Sequence, residues 1–329
     1  MTESRTSFPS LPQSWSELTW QQLCDCWSVK VRYGGNADVA RAAAVLALCR
    51  CSVCQQQATV TDAGESLYTL RDEDEALYTV TPRELSQMAA RSLQWFDYPY
   101  GDPGDPEEKD ENGKVIKEAR QPHRGYVSQM RDALVLSETE VMVGGIYFAL
   151  PQMACNNLTW QQYRSLQAIA PQLFRDGVAD GDVVALQAQF LAHCLVPAAA
   201  PSDHNDVFTP RHIFHYNVER AEQTVSFWEK EMAAVPTLFH ICFQCYQTAL
   251  SYYAAAYPLL FGGSDKESTM KDALQGEVGT INTIMKYAGY AEQQQVYDSN
   301  LPFVLDILNT MTKEAKEIEK MNARIKRKH

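Results

Sequence analysis

Two Cys-x-x-Cys pairs are the first residues in this chain whose type and spacing suggest chemistry. Cys51-Ser52-Val53-Cys54 has Cys49 close by, and Cys242-Phe243-Gln244-Cys245 has His240 close by. Four such ligands converging at about 2.0–2.3 Å make a zinc site. A pair at the end of a strand makes a thioredoxin-like redox centre. Zinc knuckles place their pair in a turn, whereas both pairs here lie in apolar sequence that reads as helix. At i, i+3 on a helix the second pair lines one face, and cysteine is a common small core residue. Core packing is the expectation for both.

The histidines and acids lead to the same place. His212 and His215 stand i, i+3 on an expected helix, with His204 upstream. That spacing can bind a metal, but no H-E-x-x-H pattern accompanies it, so a solvated or partly packed helix face is expected. Asp72/Asp74 and Glu107/Glu108 fall in polar loops, without the burial that tunes an acid and a base. The chain has no G-x-S-x-G, no P-loop and no G-x-G-x-x-G. The glycine pairs at 34–35, 144–145 and 262–263 read as turns or helix stops. Tyr246, Phe243, Tyr252, Tyr253, Tyr257 and Phe261 read as core rather than a stacking platform. No catalytic, cofactor-binding or metal-ligating residue is assigned, and no enzyme is expected.

The elements that would position these residues are more legible. Leu11-Pro12-Gln13 leads into Leu18-Thr19-Trp20-Gln21-Gln22, and Leu150-Pro151-Gln152 leads into Leu158-Thr159-Trp160-Gln161-Gln162. Each copy reads as a helix start. Thr19 and Thr159 fit the N-cap, with Gln22 and Gln162 three residues on as a capping box requires. Leu18 with Leu23, and Leu158 with Tyr163, are placed to staple the entry. Each helix precedes a glycine-bearing loop and a second apolar helix ending near a cysteine: 34–38 before Val39 to Cys49, and 176–182 before Val183 to Cys194. Two readings remain, internal duplication of a helical hairpin or convergence on one cap. Capping does not require Trp20 and Trp160, so equivalent packing of those rings would mark duplication.

Along the chain, residues 1–14 read as a loose lead and 15–96 as an N-terminal lobe, with helices near 19–31 and 37–52. Period-two runs at 58–61, 66–70 and 76–80 predict short strands. Thr81-Pro82 opens a helix to about Trp95. Residues 97–126 read as an acidic Pro/Gly-rich loop carrying a small hairpin near 108–118. Residues 127–262 form a second lobe, with β-like runs at 133–136 and 140–143 expected to join the earlier strands in one sheet. From 158 onward helix is expected, including a start at Phe208-Thr209-Pro210, one long polar helix from Arg211 to about Ala234, and an apolar one from Leu238 to Tyr257. Residues 263–329 complete the chain with helices over Glu267 to Tyr287 and from about Leu301 into a basic tail. Leu301, Val304, Leu305, Leu308 and Met311 stripe that last helix, thinning to Ala315, Ile318, Met321 and Ile325. The fold class is mainly α: duplicated helical hairpins, a small β element in the N-terminal half and a long C-terminal helix.

Composition bounds the partners. At 329 residues with 45% hydrophobic content, two lobes with a real core are expected. A net charge of −12 disfavours nucleic acid as the main partner. The C-terminal tail departs from this balance, and its basic end suits either a solvated helix or docking to an acidic or helical partner. No charged residue occurs between Glu231 and Asp265, but His240, Gln244, Gln247, Thr237, Thr248 and Ser251 interrupt that stretch. A buried helix is therefore expected there rather than a membrane span. Nine cysteines and a polar start without an apolar signal region predict a reducing cytoplasm.

The order of these pieces resembles a family. The hairpin, the acidic loop, the Leu158-to-Arg164 helix start and the aromatic helix ending Tyr257-Pro258-Leu259-Leu260-Phe261 are followed by Met285-Lys286-Tyr287-Ala288-Gly289-Tyr290 and the basic tail. This order is similar to proteins of Bacteroidetes phages and prophages encoded beside the tape-measure gene, which are tail assembly chaperones or related tail proteins. The resemblance runs from residue 11 over most of the chain but does not cover the β-rich stretch at 57–80. It implies a non-enzymatic helical protein that keeps the long tape-measure coiled coil soluble while the tail tube polymerises. A structural tail or neck component retained in the virion is the alternative. The oligomeric state is left open.

Overall fold

The computed structural model describes residues 10–33, 36–54, 59–60, 64, 66–96, 100–102, 108–109, 115–117, 123–127, 136–175, 177–198, 215–261 and 270–326. The fold is mainly α. Contacts divide it into two compact units, Met1–Glu138 with Pro236–Gln244, and Thr139–Val235 with Cys245–His329.

In the first unit a short 3-10 turn, Trp15–Glu17, precedes α1 (Trp20–Tyr33) and α2 (Ala37–Leu48). Thr19 N–H donates to Gln22 Oε1 at 3.0 Å and Gln22 N–H to Thr19 Oγ1 at 3.3 Å, so the expected reciprocal box forms. Asn36 caps α2 by accepting from Val39 N–H. That helix stops at Leu48 rather than near 52, because Arg50 takes a left-handed backbone (φ 50°) that a right-handed helix cannot continue. The chain then forms β1 (Ser52–Val53), β2 (Thr59–Val60), β3 (Ser66–Arg71) and β4 (Leu77–Val80). All three others pair antiparallel with β3. Leu70, Ala76, Tyr78 and Val80 make the buried face, with Leu46, Cys51 and Leu85 packed against it. α3 (Pro82–Ser92) starts at the Thr81–Glu84 capping box. The stretch expected as loop carries two ladders, β5 (Tyr100–Asp102) with β8 (His123–Val127), and β6 (Glu108–Lys109) with β7 (Val115–Lys117). The second is the expected hairpin.

The deepest part of this unit is aromatic. Trp15 packs against Trp27, Trp95 and Phe96, and its indole N–H donates to the Trp95 carbonyl. Lys30 is fully buried there, its ammonium 5.0 Å from the Trp15 and Trp27 ring centres and 5.6 Å from that of Phe96. Ring faces attract a cation, by roughly 2 kcal/mol where water is excluded.

In the second unit β9 (Glu140–Val143) and β10 (Ile146–Ala149) form a hairpin through Gly144-Gly145, both with positive φ. The run at 140–143 therefore does not join the earlier sheet. Residues 133–135 lie outside the described residues, and β9 pairs with its own neighbour. After a 3-10 turn at Met153–Cys155 come α4 (Trp160–Ile169) and α5 (Asp180–Cys194), then β11 (Val196–Ala198), which pairs with β10. Residues beyond 158 are thus not helical throughout. The single helix expected from Arg211 to Ala234 is two, α6 (Val218–Gln223) and α7 (Val225–Glu231). They part at Thr224, whose hydroxyl donates to the Ala221 carbonyl. Residues 204–214 lie outside the described residues, and with them the expected start at 208–210.

α8 (Leu238–Ala256) is the apolar helix read from the sequence, followed by α9 (Pro258–Phe261), α10 (Met270–Ala288), α11 (Gln293–Tyr297) and α12 (Leu301–Lys326). Among the described residues no helix is long and apolar enough to cross a membrane. α10 ends where Gly289 turns left-handed (φ 70°) and Tyr290 N–H returns to the Met285 carbonyl, a six-to-one closure that favours glycine.

The two copies of the phrase share more than a cap. In each, a residue of a 3-10 turn is buried three positions before the stapling leucine: Trp15 before Leu18, Cys155 before Leu158. The box re-forms at Thr159 and Gln162. The tryptophans differ. Trp160 is buried with its ring against Tyr163, whereas Trp20 is half-buried. The criterion of equivalent tryptophan packing is not met.

Candidate functional site

The Cys-x-x-Cys pairs separate once the backbone is known. Cys51 and Cys54 flank the two-residue strand β1, so this pair is not helical as expected. Both are half-buried, and Cys51 leans on the Leu70–Tyr78 core. Cys242 and Cys245 are buried on α8. Burial pushes the Cys245 thiol up, and the neighbouring Cys194 adds to the shift. Burial does the same at Cys155 and Cys26, and takes Cys49 to about 12. These are the reverse of activated thiols, which need a stabilised thiolate. No disulfide joins any of the nine cysteines. Among the described residues no group of three or more His, Cys, Asp or Glu is placed to hold a metal ion.

The other candidates turn into structure. Asp72 closes its turn, accepting from Ala76 N–H and from the Tyr78 hydroxyl, each at 2.8 Å. Asp74 is exposed. Phe243, Tyr246 and Tyr253 are buried as a core reading requires, while Tyr252 is exposed. His240 stacks on Trp27 at 6.4 Å, and burial lowers its pKa to about 4. His204, His212 and Glu107 lie outside the described residues.

His215 reaches a cavity of about 250 Å³ in the second unit, lined by Leu195, Val196, Tyr216, Asn217 and Arg220 among others. Its lining residue Tyr216 belongs to a hydrogen-bonded chain that local sequence patterns did not reveal. His193 Nδ1 stands 2.6 Å from the Tyr216 hydroxyl, which donates to Ser165 Oγ at 3.1 Å. A phenol has one proton, so donation to Ser165 requires the Nδ1–H tautomer of His193. Burial lowers the His193 pKa and raises that of Tyr216 to about 12. At neutral pH the chain is uncharged, and Ser165 is an acceptor rather than a nucleophile facing a base. The geometry fixes the Tyr216 side chain. Only the distant positions 165, 193 and 216 in combination would have signalled it.

Exposed apolar side chains also stand on α12. The second copy of the phrase anchors its start: Trp160 N–H donates to the Ser299 carbonyl and Leu301 N–H to the Leu158 carbonyl. Leu301, Val304 and Leu305 are buried, while Leu308 and Met311 are half-buried. Tyr257 donates to Asp306 at 2.6 Å and Tyr287 to Glu314, tying the helix along its length. From Lys313 to Asn322 every residue is exposed, Ile318 at 53% and Met321 at 56%. Beyond Glu314 these apolar side chains stand in water.

No family model, curated protein or solved structure matches the chain.

Proposed function

We propose that this chain is a non-enzymatic helical binding protein of phage tail assembly, which holds a long helical partner of the tape-measure kind in the host cytoplasm. The observation that carries this reading is the fully exposed segment of α12 with Ile318 and Met321 in water. The order of sequence phrases that resembles tape-measure-associated proteins supplies the biological setting. Co-expression with the neighbouring tape-measure protein is expected to raise that protein's solubility and give a complex on gel filtration. No rescue and no complex would refute the proposal. Mass spectrometry of purified virions should find the chain missing; its presence would move it to a structural tail component.

A further inference from the structure

The exposed segment of α12 has a charge layout that its basic end hides. At 3.6 residues per turn, Ile318 falls in line with Met311, with Met321 and Glu314 to one side and Ala315 and Asn322 to the other. Glu317 lies beyond the first edge and Glu319 beyond the second. Lys313, Lys316 and Lys320 fall on the opposite face. All of these from 313 to 322 are exposed. The segment therefore presents an apolar stripe that carries Glu314 within it and is edged by Glu317 and Glu319, with its lysines turned away from the stripe. Tyr287, bonded to Glu314 and 47% exposed, widens the apolar surface at the end nearer the body.

We infer that residues 311–322 of α12 dock an amphipathic helix of another protein whose own apolar stripe is edged by Lys or Arg. The sequence alone left an acidic or a helical partner open, because it counts the tail's charges without their faces. A second copy of this chain is the poorer occupant. Two such faces laid together would set glutamate edges against glutamate edges, and like charges flanking a helix seam oppose pairing. The inference rests on the proposed function only for the partner being helical; the face and the partner's charge come from α12.

The test uses the full chain and two labelled amphipathic peptides of roughly 21 residues, long enough to form a helix on a partner. They share one Leu/Ile stripe and differ only in carrying Lys or Glu at its edges. Fluorescence anisotropy is expected to show the Lys-edged peptide binding about fivefold more tightly, the combined effect of two exposed ion pairs of ordinary strength. Ile318→Asp should abolish this binding while leaving the far-ultraviolet spectrum unchanged, since the position is exposed. Equal binding of both peptides would overturn the charge assignment. Undiminished binding by Ile318→Asp would overturn the face, and self-association of the free chain through this segment would overturn the choice of partner. Tape-measure rescue that survives Ile318→Asp would sink this inference and leave the proposed function standing. Peptide discrimination without any tape-measure rescue would do the reverse.

Discussion

Acidification from neutral pH should destabilise the first unit through one imidazole. His240 packs flat against Trp27 and edge-on to Phe239, and burial takes its pKa from 6.5 to about 4. Folded, it stays neutral down to about pH 4; unfolded, it takes up a proton near pH 6.5. The unfolded chain therefore binds more protons between those values, so stability is full above pH 6.5, falls as pH drops through the window and levels off below it. Evaluated between pH 7 and 5, the shift amounts to about 2 kcal/mol. Urea unfolding followed by tryptophan fluorescence at the two pH values measures it, with His240→Phe as the control that keeps an aromatic ring beside Trp27. The wild-type loss on acidification should exceed the variant's by about that amount, since the remaining groups titrate alike in both. The depressed pKa of His193 acts in the same direction in the second unit and is present in both proteins. Identical pH dependence in the two proteins would refute the reasoning, as would a histidine NMR titration placing His240 near pH 6.5.

Three further outcomes follow from local geometry. Gly144→Ala should cost more than Gly145→Ala: both have positive φ, but a Cβ at 144 would meet the Phe227 ring at 2.8 Å while one at 145 meets nothing within 4 Å. Denaturation midpoints should show about 1–3 kcal/mol of extra loss at 144, and equal losses would mean that the ring yields freely. Gln162→Ala should destabilise more than Gln22→Ala, by about 1 kcal/mol or more. Both side chains cap their own helix, but buried Gln162 also donates to the His193 and Cys194 carbonyls; equal effects in urea titrations would remove those bonds from the account. In a native thiol assay at pH 8 only half-buried Cys24, Cys51 and Cys54 should react quickly, with all nine reacting in denaturant. Rapid reaction of more than three thiols in the native protein would contradict the burial described.

What could be read from the sequence was whatever depends on neighbours. The Thr19, Thr81 and Thr159 starts, the Gly289 stop and the stripe on α12 each involve residues within a few positions, and each is where it was expected. Pairings between distant segments were hidden. β11 is a three-residue Val-Pro-Ala run that becomes a strand only because β10 accepts it, and nothing local marks it. The break at Thr224 comes from a hydroxyl returning to its own helix, which threonine does only in some contexts. Cys51-x-x-Cys54 read as helical because its flanks are apolar, yet the left-handed Arg50 ends the helix first. The His193–Tyr216–Ser165 chain spans 51 residues, so no spacing motif could announce it. The tail's net charge was legible, but its division between faces appears only once the helix is known to run on without a break.

That continuity has a consequence for kinetics. Starting a helix is the costly step, and a stretch as short as the exposed part of α12 would hardly hold its shape alone in water. It does not have to start one. Its first turns are buried at Leu301, Val304 and Leu305 and held at Asp306 and Glu314, so each later turn only propagates an existing helix. Under the proposed function the segment would meet its partner already shaped, with little ordering entropy left to lose at the encounter. Such an element would bind and release quickly through a small apolar surface, as the proposed function requires.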